Sequence, residues 1–522
     1  MPLAPDAWFR FVTGAPVAVT RKELSHVARS RLDRTGMPAL PGPRPERRRM
    51  PVSPGVALVA MALVGCALPI EPAESGLRTP ERFVGAASAS APAAAPDPAW
   101  WGGFQTPDLD RLMADAMGGN FDVAAAVARL QQADAALRIA GAQLLPFVDV
   151  NASIARTRGT SSTPGTPANS GRQYGGTLRA SYQIDFWGGL RAQEQAARDS
   201  VSAAEFGVGT VTLATQSAVA AALFDLLGAQ EQLAIQQDNL RIAERTLTIL
   251  RQRLAVGTAT GLDVAQQETV VAQQRAQVPP LLQTVEANTF ALATLAGLPP
   301  AEVTIARHRL AAVRVPDVVP GIPSEVLARR PDVRLAEANL AAASADVTAA
   351  RAALFPTIAL TAEGGLQSIA LQTLLRPGAT IYGIAASLTQ TLFDGGALRA
   401  QLEQTRARRL ELLANYRQAI LSALQDTETG LSALQRNTEL VALQTARAEA
   451  AQRAYDVSEA QFRAGTIDLL TVLITQTTLF NARLALVQAQ TARLQAAAAL
   501  FVALGGGWTA DSMRRAMAGP TP

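Results

Sequence analysis

The chain repeats itself, and the repeated stretch is helical. Within residues 226–290, Leu226, Leu233, Leu240, Leu247 and Leu254 recur at every seventh position. Within residues 434–500, Leu434, Val441, Ala448, Tyr455 and Phe462 do the same, each 208 residues after its counterpart. A sustained apolar heptad means helices that supercoil against partner helices. Each run ends in a similar glycine turn, Gly257-Thr258 followed by Leu262 and Val264, then Gly465-Thr466 followed by Leu470 and Val472. A second helical pattern follows each turn, to Leu295 and to Leu504, so each half carries a long helical hairpin. As one helix, the stretch from Gly189 to Val256 would be about 100 Å long at 1.5 Å per residue. A compact domain of this chain length is only about 40–50 Å across. Helices of that length suit a span better than a globular core.

Composition narrows the function classes. Only 17% of residues are charged and the net charge is +4, with arginine in excess of lysine. That balance excludes a nucleic-acid binder, since no basic stripe is interleaved with aromatics. The one cysteine, Cys66, allows no internal disulfide, and two histidines, His26 and His308, leave little for metal binding or acid–base chemistry. No Ser/His/Asp, Cys/His or Gly-rich phosphate-binding pattern occurs, so the chain reads as no enzyme, with no cofactor and no metal.

Near the N terminus, Arg47-Arg48-Arg49-Met50 precedes an apolar run, Val56 to Val64, that ends Leu63-Val64-Gly65-Cys66. A basic segment, a short apolar core and a small-residue cleavage site make a secretory signal. The run is too short to cross a bilayer as a helix. The Leu-Val-Gly-Cys ending resembles a bacterial lipobox, which implies cleavage between Gly65 and Cys66 and lipidation of the Cys66 thiol. Residues 1–49 then read as a non-native or disordered extension, 50–65 as the signal, and 66–99 as a lipidated, extended Ala/Pro/Ser-rich tether.

The ordered chain opens at Trp100-Trp101. A helical pattern from Asp122 reaches Leu145-Pro146, and another from Asp332 reaches Phe355-Pro356, a shift of 210 residues. The duplication therefore covers most of the chain: residues 100–315 form a first structural repeat and 316–508 a second, with a disordered tail at 509–522. Strands follow each proline, whose ring ends a helix. Val148, Val150, Ala152 and Ile154 alternate with Asp149, Asn151 and Ser153. After a polar loop, Leu178, Ala180, Tyr182, Ile184 and Phe186 alternate with Thr177, Arg179, Ser181, Gln183 and Asp185. The second half repeats this with Ile358, Leu360 and Ala362, then Tyr382, Ile384, Ala386 and Leu388. Gly188-Gly189 and Gly395-Gly396 let the chain turn into the long helices.

A half-buried sheet in a soluble protein would alternate in the same way, but beside an export signal the pattern favours a membrane barrel, apolar toward lipid and polar toward a lumen. Four strands cannot close, and an open edge in lipid leaves unpaired backbone groups. Two copies would give eight strands, whose side chains fill the interior, while three would give twelve and leave a lumen. The helices of the same copies would continue that lumen as an α-barrel.

These residues resemble a family. Trp100-Trp101-Gly102-Gly103-Phe104, Gly119-Asn120-Phe121-Asp122, Leu145-Pro146, the segment Ile322-Pro323-Ser324-Glu325-Val326-Leu327-Ala328-Arg329-Arg330-Pro331-Asp332, and Phe393-Asp394-Gly395-Gly396 are similar to motifs of TolC-type outer-membrane efflux factors. The lipobox resembles the NodT/OprM-like lipoprotein branch. The resemblance implies a mixed, mainly α homotrimer: a twelve-stranded β-barrel on a long antiparallel coiled-coil α-barrel. It sits in the outer membrane, in contact with outer-membrane lipid, lipid-anchored and reaching into the periplasm. It implies work as the passive exit duct of a tripartite pump for drugs or other small molecules. Its partners would be a periplasmic adaptor (membrane fusion) protein and an inner-membrane transporter, most often proton-driven and of the RND type. Other expectations are export of metal ions or of polypeptides by the type I route, and a periplasmic scaffold lipoprotein that is no channel.

In the family the periplasmic end is narrowed just after the second glycine turn, typically by a leucine with an aspartate four positions on. The matching residues here are Leu470 and Ile474, so the carboxylate is lost. Thr471 stands where another branch has acid, and Asp468 and Asp263 are the nearest carboxylates.

Overall fold

The computed structural model describes residues 68–70, 75–84, 97–158, 170–305, 310–318, 321–506 and 508. The expected signal and lipidation site, Gly65 and Cys66, and the tail at 509–522 lie outside them.

Each repeat runs through the same sequence of elements. A short 3-10 turn, Trp100–Phe104, leads into helices α1 (Pro107–Gly119) and α2 (Phe121–Ala142). A hairpin of strands β1 (Phe147–Arg158) and β2 (Ser170–Ile184) follows, then the long helix α3 (Gly189–Ala255). The chain returns through α4 (Gly261–Ala276) and α5 (Val278–Ala296). In the second repeat α6 (Pro323–Arg329) and α7 (Pro331–Ala352) precede β3 (Thr357–Ser368) and β4 (Thr380–Thr389). Helix α8 (Ala397–Arg463) then descends and α9 (Leu469–Ala503) returns. Helices α3 and α8 have 67 residues each, about 100 Å, and start 208 residues apart.

The first return differs from its sequence reading. The pattern to Leu295 predicts one helix, but the chain breaks at Gln277, between α4 and α5. Pro279 and Pro280 are the cause. They lack the N–H groups that a continuous helix would use, and they fit only the first turn of a new one. The second return has no proline and stays unbroken over 35 residues. The helices that end in the two prolines also stop earlier than their patterns predict, at Ala142 and Ala352, and the last residues form a turn.

Heptad positions carry the packing. Leu226, Leu233 and Leu247 are buried on α3, as are Tyr455 and Phe462 on α8; only Leu254, at the helix end, is substantially exposed. At the far end of the hairpins Leu250, Tyr455, Phe462, Leu469, Val472 and Leu479 form one apolar cluster. Midway, Trp100, Phe104, Leu223, Phe224, Leu292 and Phe501 form the largest core. Trp100 stacks on Phe501 with ring centres 5.4 Å apart. Helices α3 and α9 are long and apolar enough to cross a membrane by length and composition alone. Part of their apolar surface packs within these clusters.

The N-terminal stretch is more than a tether where it is described. Phe83 is buried against Val326, Leu500 and Leu504. The Val84 N–H donates to Glu428 at 2.6 Å, and Arg417 donates to the Ser75 carbonyl at 2.8 Å, so residues 75–84 lie along α8.

Candidate functional site

The four strands form one antiparallel sheet in the order β1-β2-β3-β4. Among the described residues both outer edges, β1 and β4, are unpaired. The registers run without a bulge, so paired residues share a face across the whole sheet. One face carries the row Val148, Ala180, Ala362, Ile384 and the row Val150, Leu178, Gly364, Tyr382. Below them lie Tyr182, Leu360, Ala386 and then Ile184, Ile358, Leu388. The opposite face is mainly polar: Asn151, Thr177, Gly365 and Ile381 form one row, and Asp149, Arg179, Glu363 and Gly383 another. The strands extend further than their alternation predicts, β2 back to Ser170 and β3 on to Ser368, because Gly171, Gly175, Gly176, Gly364 and Gly365 carry no side chain to mark the period. At its other end β2 stops at Ile184, so Phe186 is not a strand residue.

Among the described residues nothing covers the apolar face. Val150 is 77% exposed and Ile384 87%. In water such a surface would drive aggregation; in a bilayer it is a lipid-facing wall.

The junctions between helix and strand are aromatic. Trp187 stacks on Phe355 at 4.6 Å and meets Phe186 edge-on at 4.8 Å, while its indole N–H donates to the Pro356 carbonyl at 2.8 Å. Rings with a polar tip at this level fit a membrane interface. Pro146 and Pro356 stand immediately before β1 and β3. Gly188 is the cap of α3 at φ +79°, and Gly189 is its first helical residue. In the second half both Gly395 and Gly396 have positive φ, +68° and +93°. An aspartate secures each turn: Asp185 accepts from the Leu190 and Arg191 amides, and Asp394 from those of Gly396 and Leu398. Leu68, two residues beyond Cys66, donates its N–H to the Trp187 carbonyl at 3.5 Å.

At the other end of the hairpins lie the expected gate residues. Leu470 and Ile474 are one helical turn apart on α9, 60% and 58% exposed, and face away from the chain's own core. The two carboxylates nearby are occupied. Asp468 is the N-cap of α9, accepting from the Thr471 amide at 3.0 Å and its hydroxyl at 2.6 Å. Those bonds hold its carboxyl below the usual range, the hydroxyl contributing most. Asp263 closes a capping box with Thr260, accepting from the Thr260 amide at 2.7 Å and its hydroxyl at 2.8 Å. Sequence reasoning missed Arg253. Its guanidinium lies 4.4 Å from the Phe462 ring and donates to the carbonyls of Phe462 and Arg463, which ties the ends of α3 and α8 together. A basic residue in the last turn of a helix was the available signal.

The Arg-Arg-Pro-Asp motif also acquires a role. Arg330 is buried before α7 and pairs with Asp332 at 2.7 Å and with Asp426 of α8 at 2.9 Å. It also donates to the Ala503 carbonyl at the end of α9. One side chain thus pins three helices at mid-height.

A sheet with a lipid-facing side and open edges, carried on hairpins of about 100 Å, defines an outer-membrane channel protein of the mixed α/β-barrel kind. Comparison with known proteins agrees. Residues 112–298 and 322–506 match the family of outer membrane efflux proteins, and the chain belongs to that family. It is 41% identical to the pyoverdine export outer membrane protein OpmQ of Pseudomonas aeruginosa, over 86% of this chain and 96% of that one. It is 30% identical to the toluene efflux pump outer membrane protein TtgC of Pseudomonas putida, over 87% of this chain and 95% of that one. Among solved structures it matches the outer-membrane channel OprN with a TM-score of 0.78 at 27% identity, covering 83% of this chain and 98% of that one. It also matches the open state of the Neisseria gonorrhoeae MtrE channel, with a TM-score of 0.76 at 27% identity, covering 84% and 98%. The protein is thus an efflux channel of the outer membrane.

Proposed function

We propose that three copies assemble into one passive duct that carries small organic molecules out of the cell, with no catalytic step of its own. The sheet with two free edges is the observation that carries this reading. Each unpaired backbone group left in lipid costs several kcal/mol, so the edges must meet those of other copies. Eight strands from two copies would fill with side chains, whereas twelve from three leave a lumen.

The duct would work with a periplasmic adaptor and an RND-type inner-membrane transporter, which selects the cargo. Similarity to a pyoverdine exporter puts pyoverdine or a comparable small molecule first, ahead of toluene and antibiotics. Lipidation of Cys66 rests on the Leu63-Val64-Gly65-Cys66 lipobox and the basic and apolar segments before it. Leu470 and Ile474 are read as two apolar rings that close the periplasmic tip by dewetting. Asp468 and Asp263 are spent on helix caps, which argues against a cation-binding carboxylate ring.

The test is complementation. A host lacking its own export channel, supplied with a matching adaptor and transporter, should regain pyoverdine secretion when this chain is expressed. Trimers that assemble in the outer membrane without restoring secretion of any small molecule would contradict the duct.

A further inference from the structure

Two arginines stand directly opposite each other on the lipid-facing side of the sheet. Arg156 of β1 pairs with Arg172 of β2, two positions beyond the pair Ile154 and Tyr174. Arg158, opposite Ser170, follows on the same face. The unbroken register fixes this assignment, because all three arginines share parity with Val148, Val150 and Ile154.

Their height follows from the same register. From Ile184 to Tyr174 the apolar face of β2 runs ten residues, about 33 Å of strand. At a tilt of about 45° this is about 23 Å of membrane, close to the usual apolar band of about 25 Å. The Arg156–Arg172 row lies about 5 Å higher. That places three guanidinium groups of each chain at the headgroup level of the outer leaflet, with their aliphatic stems beside Ile154 and Tyr174.

Among the described residues nothing neutralises them. No carboxylate occurs in the sequence between Asp149 and Asp185, or between Glu363 and Asp394. Among the described residues no ion pair involves Arg156, Arg158 or Arg172. Directly opposed positions of a sheet hold Cβ atoms about 5 Å apart, where like charges destabilise the pairing. Two guanidinium groups in that arrangement call for an anion between them, and phosphate suits the guanidinium fork.

We propose that Arg156, Arg158 and Arg172 form a binding rim for a phosphorylated lipid of the outer leaflet. Its phosphates bridge the Arg156–Arg172 pair, and its acyl chains lie along the Val150, Leu178 and Tyr182 rows. The polar face of the sheet is not involved, so the rim holds membrane lipid and not cargo. This rests on the barrel reading, whose failure would appear separately as wild-type protein without heat-resistant, β-rich oligomers.

The experiment is native mass spectrometry of the assembled full-length protein in neutral detergent. The probes are bisphosphorylated lipid A, the same lipid stripped of phosphate, and inorganic phosphate. Wild type should retain lipid A and bind the stripped lipid at least about tenfold more weakly. Replacing all three arginines, R156Q/R158Q/R172Q, should weaken lipid A binding about 100-fold, near fivefold per arginine. Arg436→Gln, on a periplasmic helix, should leave binding unchanged. Equal binding of the two lipids by wild type would overturn the proposal, and that arm needs no variant to fold. So would a triple variant that binds like wild type. Displacement of lipid A by millimolar inorganic phosphate would overturn it too, by reducing the rim to a general anion site.

Discussion

The two halves of the molecule close the same mid-height joint with different chemistry. In the first, Asn120 caps α2, accepting from the Asp122 and Val123 amides, and donates to the Leu295 carbonyl at 2.9 Å. In the second, the position 210 residues on is Arg330, which donates to the Ala503 carbonyl at 3.1 Å. Leu295 and Ala503 are themselves 208 residues apart. Duplication has kept the contact, from the start of the short helix to the last turn of the return helix. What changed is the side chain. Asn120 serves one cap and one carbonyl, whereas Arg330 also reaches Asp332 and, on α8, Asp426.

The difference follows from where each half sits. Helix α3 packs against α2, α4, α5, α7 and α9, and 23 of its 67 residues are buried. Helix α8 packs mainly against α7 and α9, and only 9 of 67 are buried. Leu410, Leu421, Leu443 and Val457 remain exposed on it. A helix held on fewer sides needs a stronger staple. Two sides of the single chain, the β1 and β4 edges, are left unfinished among the described residues.

Glycines give the sharpest way to break the comparison. Gly297 and Gly505 end the two return helices with φ of +71° and +93°. A Cβ at Gly297 would overlap the Gly119 carbonyl oxygen, whereas one at Gly505 would meet Arg329 at an ordinary 3.4 Å. Gly297→Ala should therefore cost about 3 kcal/mol or more, and Gly505→Ala about 1 kcal/mol from backbone strain alone. Thermal midpoints of the detergent-solubilised oligomer would show it, and equal losses would mean that the two joints are not built differently.

Arg330→Ala comes next. Asp426 is half exposed and can rehydrate, so the loss should be about 2–3 kcal/mol, below that of a fully buried pair. Asn120→Ala gives up one cap and one neutral bond, about 1–2 kcal/mol. A larger loss at Asn120 would reverse the ranking argued here.

The tips extend the comparison to transport. Wild-type oligomers in a planar bilayer should conduct poorly and respond little to divalent cations added from the periplasmic side. Ile474→Asp should create a block by those cations and loosen the closed state, because like carboxylates would converge on the axis. Strong divalent block of the wild type would shift the gate to Asp468 or Asp263.

The smallest effect concerns pH. The Asp468 carboxyl lies below its ordinary pKa in the folded protein. Its contribution is therefore complete above that ordinary value and fades as pH falls below about 4. Amide exchange at Leu469 to Val472, corrected for intrinsic rate, should quicken between about pH 5 and about pH 3. Asp468→Asn keeps the cap and should remove that pH dependence. An unchanged profile in the variant would point to another group.

Much of this was legible in the sequence because it was written twice. The constant shift revealed the hairpins, and alternation at Val148–Ile154 and Leu178–Ile184 revealed a two-faced sheet. What escaped notice had no period. Glycines hid the strand ends. Pro279-Pro280 broke the first return inside an otherwise regular pattern. Phe83 looked like part of a featureless linker, because one buried ring in an Ala/Pro/Ser-rich stretch leaves no pattern. Arg253 and Asn120 act on backbone carbonyls, and a carbonyl partner cannot be read from residue types. At the gate, Leu470 and Ile474 matched or departed from a motif, but only the structure showed that Asp468 and Asp263 are occupied as caps.

The central claim is that the unfinished sides of one chain are completed by two others. Native mass spectrometry of the oligomer extracted from outer membranes in mild detergent counts the copies directly. The account predicts three chains per particle, with no stable population of one or two. A particle of two chains would leave eight strands and no lumen, and a stable folded monomer would leave β1 and β4 unpaired; either result would contradict it.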